Sequence, residues 1–198
     1  LPRHEAAALA ERLEGWPAAL FLAALSLHSG AQASTVSGDD RFLADYLETE
    51  HLAALSPEQR RFALQTSLLA ELTSDACDSL LARSDSAEML ESLEDAGVAV
   101  PLDQRRRRYR YRRIVRDLLS RELERSEPET ARALHRAAAG RAAEIGAVEE
   151  ALEHAAAAGD VKRVADLAER LAVSACGRGR LDAVERWLDL VPEDDVEA

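Results

Sequence analysis

Residues 98–119, VAVPLDQRRRRYRYRRIVRDLL, decide the fold of this chain. The opening residues predict a β-strand, and Pro101 favours a sheet edge because proline cannot donate a ladder hydrogen bond. Arginine and tyrosine then alternate, and this period of two predicts a second strand with Tyr109 and Tyr111 on the same face. Apolar residues return at helical spacing from Ile114 onward. The stretch therefore predicts a β-hairpin that is followed by a helix.

Three helical segments precede this hairpin. Ser56 followed three residues later by Gln59 predicts a helix start with a capping box, and Asp85 followed by Glu88 predicts another. Three helices, a hairpin and a closing helix are the pattern of a winged-helix domain. We predict this domain over residues 39–125.

The regions on either side of this domain are also helical in pattern. Residues 1–38 carry apolar residues at helical spacing, interrupted at Gly15, Trp16 and Pro17, and end in a small, polar loop sequence. They predict a helical subdomain.

Residues 126–198 are helical with turns marked by glycine. Similar sequences follow Gly146 and Gly179, which are 33 residues apart (179 − 146 = 33). This spacing is close to that of the tetratricopeptide repeat, so the region predicts the start of a TPR-like helical repeat domain.

Composition bounds the class of protein. The chain has 198 residues, of which 47% are hydrophobic and only 4% aromatic. An Ala- and Leu-rich sequence of this kind predicts a mainly α-helical protein. No apolar run approaches the roughly 20 residues that span a bilayer. We therefore predict a cytoplasmic protein that has no membrane partner.

Catalytic and metal-binding motifs are missing from the sequence. The five histidines are scattered without an H-x-x-x-H pair, and the two cysteines, Cys77 and Cys176, lie far apart. No G-x-S-x-G motif is present. The sequence therefore predicts neither an enzyme nor a metal site.

The charge pattern bears on nucleic-acid binding. The net charge is −12, yet eight arginines lie between Arg105 and Arg116. Arginines on a wing suit phosphate contacts. The helix predicted at 86–96, which would enter a groove, carries four acidic residues and no basic one, and phosphates would repel it. Direct DNA binding stays an alternative, and an acidic protein surface is the favoured target of the wing.

Four stretches in this order resemble one family, the MalT-like regulators, which are large ATP-binding LuxR-type transcription factors of the STAND signalling class. The stretches are LEGWPAALFLAALSL at 13–27, GDDRFLADYL at 38–47, RYRYRRIVRDLL at 108–119 and LHRAAAGRAAEIGAVEEALEHAAAAGDVKRVADL at 134–167.

The resemblance implies a P-loop ATPase core, a winged-helix domain, a helical repeat sensor and a C-terminal helix-turn-helix that binds DNA. This sequence contains no G-x-x-x-x-G-K-[ST] and ends within the predicted repeats. It is therefore expected to be an internal fragment, with residues 1–38 as the last helices of the ATPase core. No cofactor is expected in the fragment, whereas the intact parent would bind ATP or ADP and could hydrolyse ATP slowly.

The resemblance also implies two nucleotide-facing positions. Gly15, Trp16 and Pro17 match the family's GxP motif, whose proline packs near adenine. Arg112 occupies the position where the family has a histidine that reads the β-phosphate. From the residues alone, a helix boundary at Gly15 and Pro17 and a solvated arginine face at Arg112 are the favoured interpretations.

The leading hypothesis is a signal-relay segment of an ATP-dependent transcriptional regulator, which couples nucleotide state to a repeat sensor. Its expected partners are the upstream core, the downstream repeats and an inducer or protein ligand on the repeats, with DNA bound only through the missing helix-turn-helix. The alternatives are a self-contained helical adaptor for a protein partner and a winged-helix DNA-binding protein.

Overall fold

The computed structural model describes residues 2–29 and 41–176, which divide into two compact units between Ser126 and Glu127. The mainly helical class and the single β-hairpin predicted from the sequence are confirmed for this part of the chain. The first unit contains α1 (Arg3–Arg12), α2 (Pro17–His28), α3 (Arg41–Leu47), a π-helical turn (Glu48–Leu52), α4 (Pro57–Thr66), α5 (Ser74–Leu81), α6 (Ser86–Asp95), β1 (Ala99–Pro101), β2 (Tyr109–Tyr111) and α7 (Arg113–Ser126). The second unit contains α8 (Pro128–Glu144), α9 (Val148–Ala157) and α10 (Val161–Cys176).

The two predicted capping boxes have different outcomes. At the start of α4, the Ser56 N–H donates to Gln59 Oε1 at 2.8 Å, and the Gln59 N–H donates to Ser56 Oγ at 3.2 Å, as predicted. The box predicted at Asp85 is wrong, because Asp85 makes no side-chain cap and accepts a hydrogen bond from Arg83 Nη2 at 2.6 Å instead. A charged guanidinium two residues away outcompetes a backbone N–H for this carboxylate.

The hairpin is antiparallel, and its register pairs Ala99 with Tyr111 and Pro101 with Tyr109. On its other side β2 forms a bridge with Leu72, whose N–H and C=O both bond to the backbone of Tyr109 at 2.8 Å. Strand β2 is therefore central and β1 is the edge, which is where the sequence placed Pro101.

The alternation along β2 buries both tyrosines in the first unit. Tyr109 and Tyr111 are only 2% and 3% exposed, on the same face of the strand as predicted. The Thr66 hydroxyl donates to Phe62 O at 2.8 Å, so it accepts the bond that joins it to the Tyr111 hydroxyl at 2.7 Å. Burial raises the pKa of Tyr111 well above its ordinary value. This bond fixes β2 against α4 inside the core.

Alanine dominates the core of the second unit, where α8 packs on α9 and α9 packs on α10. Small side chains let the helix backbones approach closely. Gly146 and Gly159 end α8 and α9 with φ of +79° and +69°, a left-handed conformation that favours glycine. Gly179, the second marker of the predicted repeat, lies outside the described residues. The TPR-like character and the boundaries at 38, 125 and 198 stay predictions.

Within residues 2–29 and 41–176, no helix combines the length and the apolar character that are needed to cross a bilayer.

Candidate functional site

The turn between α1 and α2 has an unusual backbone. Glu14 and Gly15 both adopt positive φ, at +52° and +65°, and the Gly15 N–H donates to Ala10 O at 2.9 Å. Trp16 then takes an extended conformation as the N-cap of α2, and Pro17 follows at the first helical position. The boundary interpretation of this motif is therefore correct for the backbone, and the turn leaves Pro17 exposed.

Gly15 is needed here for its backbone conformation. A Cβ built on this residue would meet no described atom within 4 Å, so nothing crowds it. Its left-handed φ is the constraint, because residues with a Cβ adopt it at a cost.

An ion pair connects this turn to the hairpin. Glu14 Oε1 accepts a hydrogen bond from Arg110 Nη1 at 2.6 Å, and the two side chains are 22% and 35% exposed. Glu14 pays a conformational cost for its positive φ, and the ion pair offsets part of that cost. The pair joins positions 96 residues apart in the chain.

Arg112 contacts the same turn. Its guanidinium carbon lies 5.4 Å from the centroid of the Trp16 ring, within the range of a cation–π interaction. Its carbonyl accepts the first hydrogen bond of α7, from the Arg116 N–H at 2.9 Å. The predicted site residues Gly15, Pro17 and Arg112 thus lie around Trp16, and Arg112 is half-buried against this ring.

Trp16 is also packed against two other rings. Its centroid lies 5.9 Å from Tyr46 and 5.2 Å from His51, and these two rings are 5.7 Å apart. We call Trp16, Tyr46, His51 and Arg112 the Trp16 cluster. Tilted and edge-on rings at these separations are favourable aromatic contacts.

Sequence reasoning missed Tyr46 and His51 because they are five residues apart. A spacing of five separates side chains on an α-helix, whose period is 3.6 residues. The π-helical turn Glu48–Leu52 widens the helix at this point, as the bond from the Ala53 N–H to Glu48 O at 2.8 Å shows, and brings both rings to the same side. π-Helical turns are frequent at functional sites, but no sequence rule finds them.

Sequence reasoning also missed Glu14 and Arg110. Arg110 was predicted to lie opposite the two tyrosines of β2, on a face that carries three arginines and so indicates acidic partners without naming them. The partner of each arginine depends on tertiary contacts that the local pattern does not contain.

The arginine-rich wing contacts acidic groups of its own unit. Arg106 Nη2 lies 3.4 Å from Glu94 Oε1, and Arg108 donates to both carboxylate oxygens of Glu71, through Nη2 at 2.6 Å in one case. The Arg108 hydrogen bonds lower the pKa of Glu71 below its ordinary value. Part of the positive charge is thus already neutralised by an acidic protein surface, as the sequence predicted.

Helix α6 carries the acidic residues that argued against DNA binding. Glu88, Glu91 and Asp95 are exposed along it. A helix with this face is repelled by phosphates in a groove. Within the described residues, no group of three or more His, Cys, Asp or Glu side chains is arranged to hold a metal ion.

Two of the predicted site residues differ in what they present at the surface. Pro17 presents an exposed apolar ring at the start of α2. Arg112 packs its guanidinium face on Trp16, while the N–H donors of a guanidinium lie along its edge. A Gly-rich phosphate loop is not present in the sequence.

Fold and site together define the class: a winged helix domain joined at its hairpin to a helical turn that carries a GxP-type motif. Residues 48–131 match the family model of the MalT winged helix domain. The chain is MalT-like, since it contains a domain that matches the MalT winged helix over these residues.

Relatives match beyond that domain. Serine/threonine-protein kinase PknK of Mycobacterium tuberculosis (strain H37Rv) is 35% identical over 86% of this chain, which spans 16% of that protein. HTH-type transcriptional regulator MalT of Vibrio cholerae is 30% identical over 89% of the chain and 20% of its own length. MalT of Yersinia pestis (strain Pestoides F) is 30% identical over 97% and 22%. The chain thus spans about a fifth or less of each of these relatives.

Proposed function

We propose that this chain is the signal-relay segment of an ATP-dependent regulator of the STAND class, in which the winged helix domain couples nucleotide state to a helical repeat sensor. The observation that carries the proposal is the meeting of two distant motifs. The GxP-type turn contacts the residue before α7, since the Arg112 guanidinium carbon lies 5.4 Å from the centroid of the Trp16 ring. The same turn contacts β2, since Arg110 Nη1 donates to Glu14 Oε1 at 2.6 Å. A change at Pro17 therefore has a direct route to the helix that ends the first unit.

The names of the relatives support a relay over an output domain. One relative is a protein kinase and the others are HTH-type transcriptional regulators, yet both kinds contain a segment similar to this chain. A segment that occurs both in a kinase and in transcriptional regulators is best suited to a signalling step that comes before phosphorylation or DNA binding. Because the MalT relatives are transcriptional regulators, we propose that the regulator containing this chain controls transcription and lies in the cytoplasm.

The surface of α2 supports a place within a larger protein. This helix is apolar around its whole circumference, a property typical of buried helices. Phe21 and Leu25 are nevertheless 65% and 41% exposed. We propose that the upstream ATPase core of the same regulator covers them. An inducer or protein ligand would bind the repeats, and DNA would be bound by a separate helix-turn-helix.

The test uses the full-length protein that contains this chain. Pro17→Ala should speed the release of a fluorescent ADP analogue, because it removes the apolar ring from the base-binding side of the turn. Release at the wild-type rate would overturn the role of the turn in nucleotide binding.

Pro57→Ala is the matched control. Pro57 is also the first residue of a helix, α4, and is also exposed, but it lies outside the turn and the Trp16 cluster. Release should be unchanged in this variant. An equal effect of both substitutions would assign the change to helix initiation and contradict the proposal.

A further inference from the structure

The second unit contains a pair of histidines in direct contact. His135 on α8 and His154 on α9 approach with Nδ1 atoms 2.9 Å apart, and their ring centroids are separated by 5.2 Å. His154 is buried, with 7% of its surface exposed, and His135 is half-buried. This contact lies within the packing of α8 against α9.

The distance fixes how many protons the pair can hold. A hydrogen bond between two ring nitrogens needs one N–H and one lone pair, so a single proton lies between the Nδ1 atoms. The pair keeps this bond when both rings are neutral, and also when one ring is charged. Protonation of both rings places two N–H groups against each other and breaks the bond.

Neighbouring charges favour the first protonation of the His135–His154 pair and disfavour the second. His154 Nε2 lies 3.8 Å from Glu150 Oε1, one turn earlier on α9, so a charge on His154 is favoured. The charged residue one turn from His135 on α8 is Arg132, which pairs with Glu129 and disfavours a second positive charge.

Helix α10 contributes the apolar Val164, Leu167 and Ala168 to the core formed with α8 and α9. Its Arg163 Nη2 lies beside α8, 3.8 Å from where a Cβ on Gly140 would stand, and adds positive charge along that helix. A second proton on the pair is opposed most directly by the first histidinium, because the two Nδ1 atoms are 2.9 Å apart.

We propose that the His135–His154 pair makes the packing of α8 against α9 sensitive to acid, so that the pair opens as the second imidazole is protonated. An unfolded histidine has a pKa of about 6.5. Well below that value the open state carries two protons and the packed pair one, so opening becomes more favourable as pH falls. Because the free imidazoles are only half protonated at pH 6.5, the equilibrium constant for opening should rise about threefold between pH 6.5 and pH 5.5.

Hydrogen exchange of the full chain, followed by mass spectrometry and corrected for intrinsic rates, tests this. Peptides from α8 and α9 should lose about threefold in protection over that pH unit, while peptides from α4 should not. His135→Asn supplies an amide partner that cannot become charged, and it should abolish the pH dependence. His28→Gln, which replaces an exposed histidine of α2, should leave it intact. A pH dependence that persists in His135→Asn would overturn the proposal.

Imidazole titration of the unmodified chain by NMR is a second test that needs no variant. The two rings should take up one proton between them before α8 and α9 open. Full protonation of both rings at pH 5.5, with α8 and α9 amides still protected, would also overturn the proposal.

Discussion

At the scale of single residues, Arg112 is the clearest case of a side chain whose role depends on its chemistry. A planar guanidinium can stack on an indole ring, whereas the histidine that the MalT-like resemblance implies at this position is smaller and titrates near neutral pH. In this chain the guanidinium lies over Trp16 and so holds the start of α7 against the turn before α2. The substitution of arginine for histidine therefore favours a permanent contact.

Removing this guanidinium should loosen the Trp16 cluster. We expect Arg112→Ala to lower the free energy of unfolding by about 0.5–1 kcal/mol, the value of an exposed cation–π contact. Urea unfolding followed by Trp16 fluorescence, in a Trp187→Phe background that leaves one indole, measures it. Arg113→Ala removes the exposed neighbouring arginine and should change neither the midpoint nor the emission. Equal effects of the two substitutions would contradict a specific contact with Trp16.

The two tyrosines of β2 offer a matched comparison inside the core. Tyr111→Phe removes a hydroxyl bonded to Thr66 and should cost about 1 kcal/mol, whereas the buried hydroxyl of Tyr109 has no hydrogen-bond partner among the described residues, so Tyr109→Phe should cost less. Urea denaturation at pH 7 distinguishes them. A larger loss from Tyr109→Phe would show that this assignment of hydrogen bonds is wrong.

Burial also raises the pKa of Tyr111, and this predicts the response to alkali. The unfolded tyrosine loses its proton near pH 10, while the folded one keeps it. The unfolded state therefore binds fewer protons above about pH 10, and stability falls as pH rises. Tyr111→Phe should make this alkaline loss smaller, as thermal melts between pH 9 and pH 11 would show. An unchanged alkaline slope would mean that other groups cause it.

At the scale of elements, the turn between α1 and α2 depends on backbone conformation. Gly15→Ala should lower the free energy of unfolding by about 1–2 kcal/mol, because alanine is strained at φ of +65° although space is free around it. Gly140 lies inside α8, where an added Cβ would make an ordinary contact with Arg163 at 3.8 Å. Gly140→Ala should therefore stabilise by about 0.5–1 kcal/mol. Calorimetric melts test both, and two changes of the same sign would contradict the argument.

The elements also show what a sequence can predict and where it fails. The Ser56 box, the Gly-marked helix ends and the buried face of β2 follow local rules, and the structure confirms them. The Asp85 box failed because Arg83 captured the carboxylate. The π-helical turn at 48–52 breaks the 3.6-residue period on which helix prediction relies.

The candidate site was predictable in part for the same reason. Gly15, Pro17 and Arg112 were identified through motifs, and the structure brings them together around Trp16. Glu14 meets Arg110 only because the hairpin folds back onto the first turn, a contact across 96 positions that no local pattern contains. Long-range pairs of this kind need the tertiary structure.

At the scale of the whole molecule, the proposed function needs groups that this sequence does not contain. Under that proposal the turn at Pro17 supplies an apolar surface for a base, but most of the affinity of a nucleotide comes from phosphate contacts, which a Gly-rich loop normally provides. This sequence has no such loop. The relay function proposed above therefore depends on phosphate-binding groups that come from elsewhere in the regulator.

The chain by itself should consequently bind ATP or ADP weakly, with a dissociation constant above about 1 mM, equivalent to less than about 4 kcal/mol of binding free energy. Isothermal titration calorimetry of the purified chain with ADP measures this, and the full-length protein that contains the chain is the positive control, in which we expect tight binding. Adding Pro17→Ala to both proteins separates the contributions, since it should weaken ADP binding only where the phosphates are held. Micromolar affinity of the isolated chain would mean that its own arginines hold the phosphates, and would contradict the prediction.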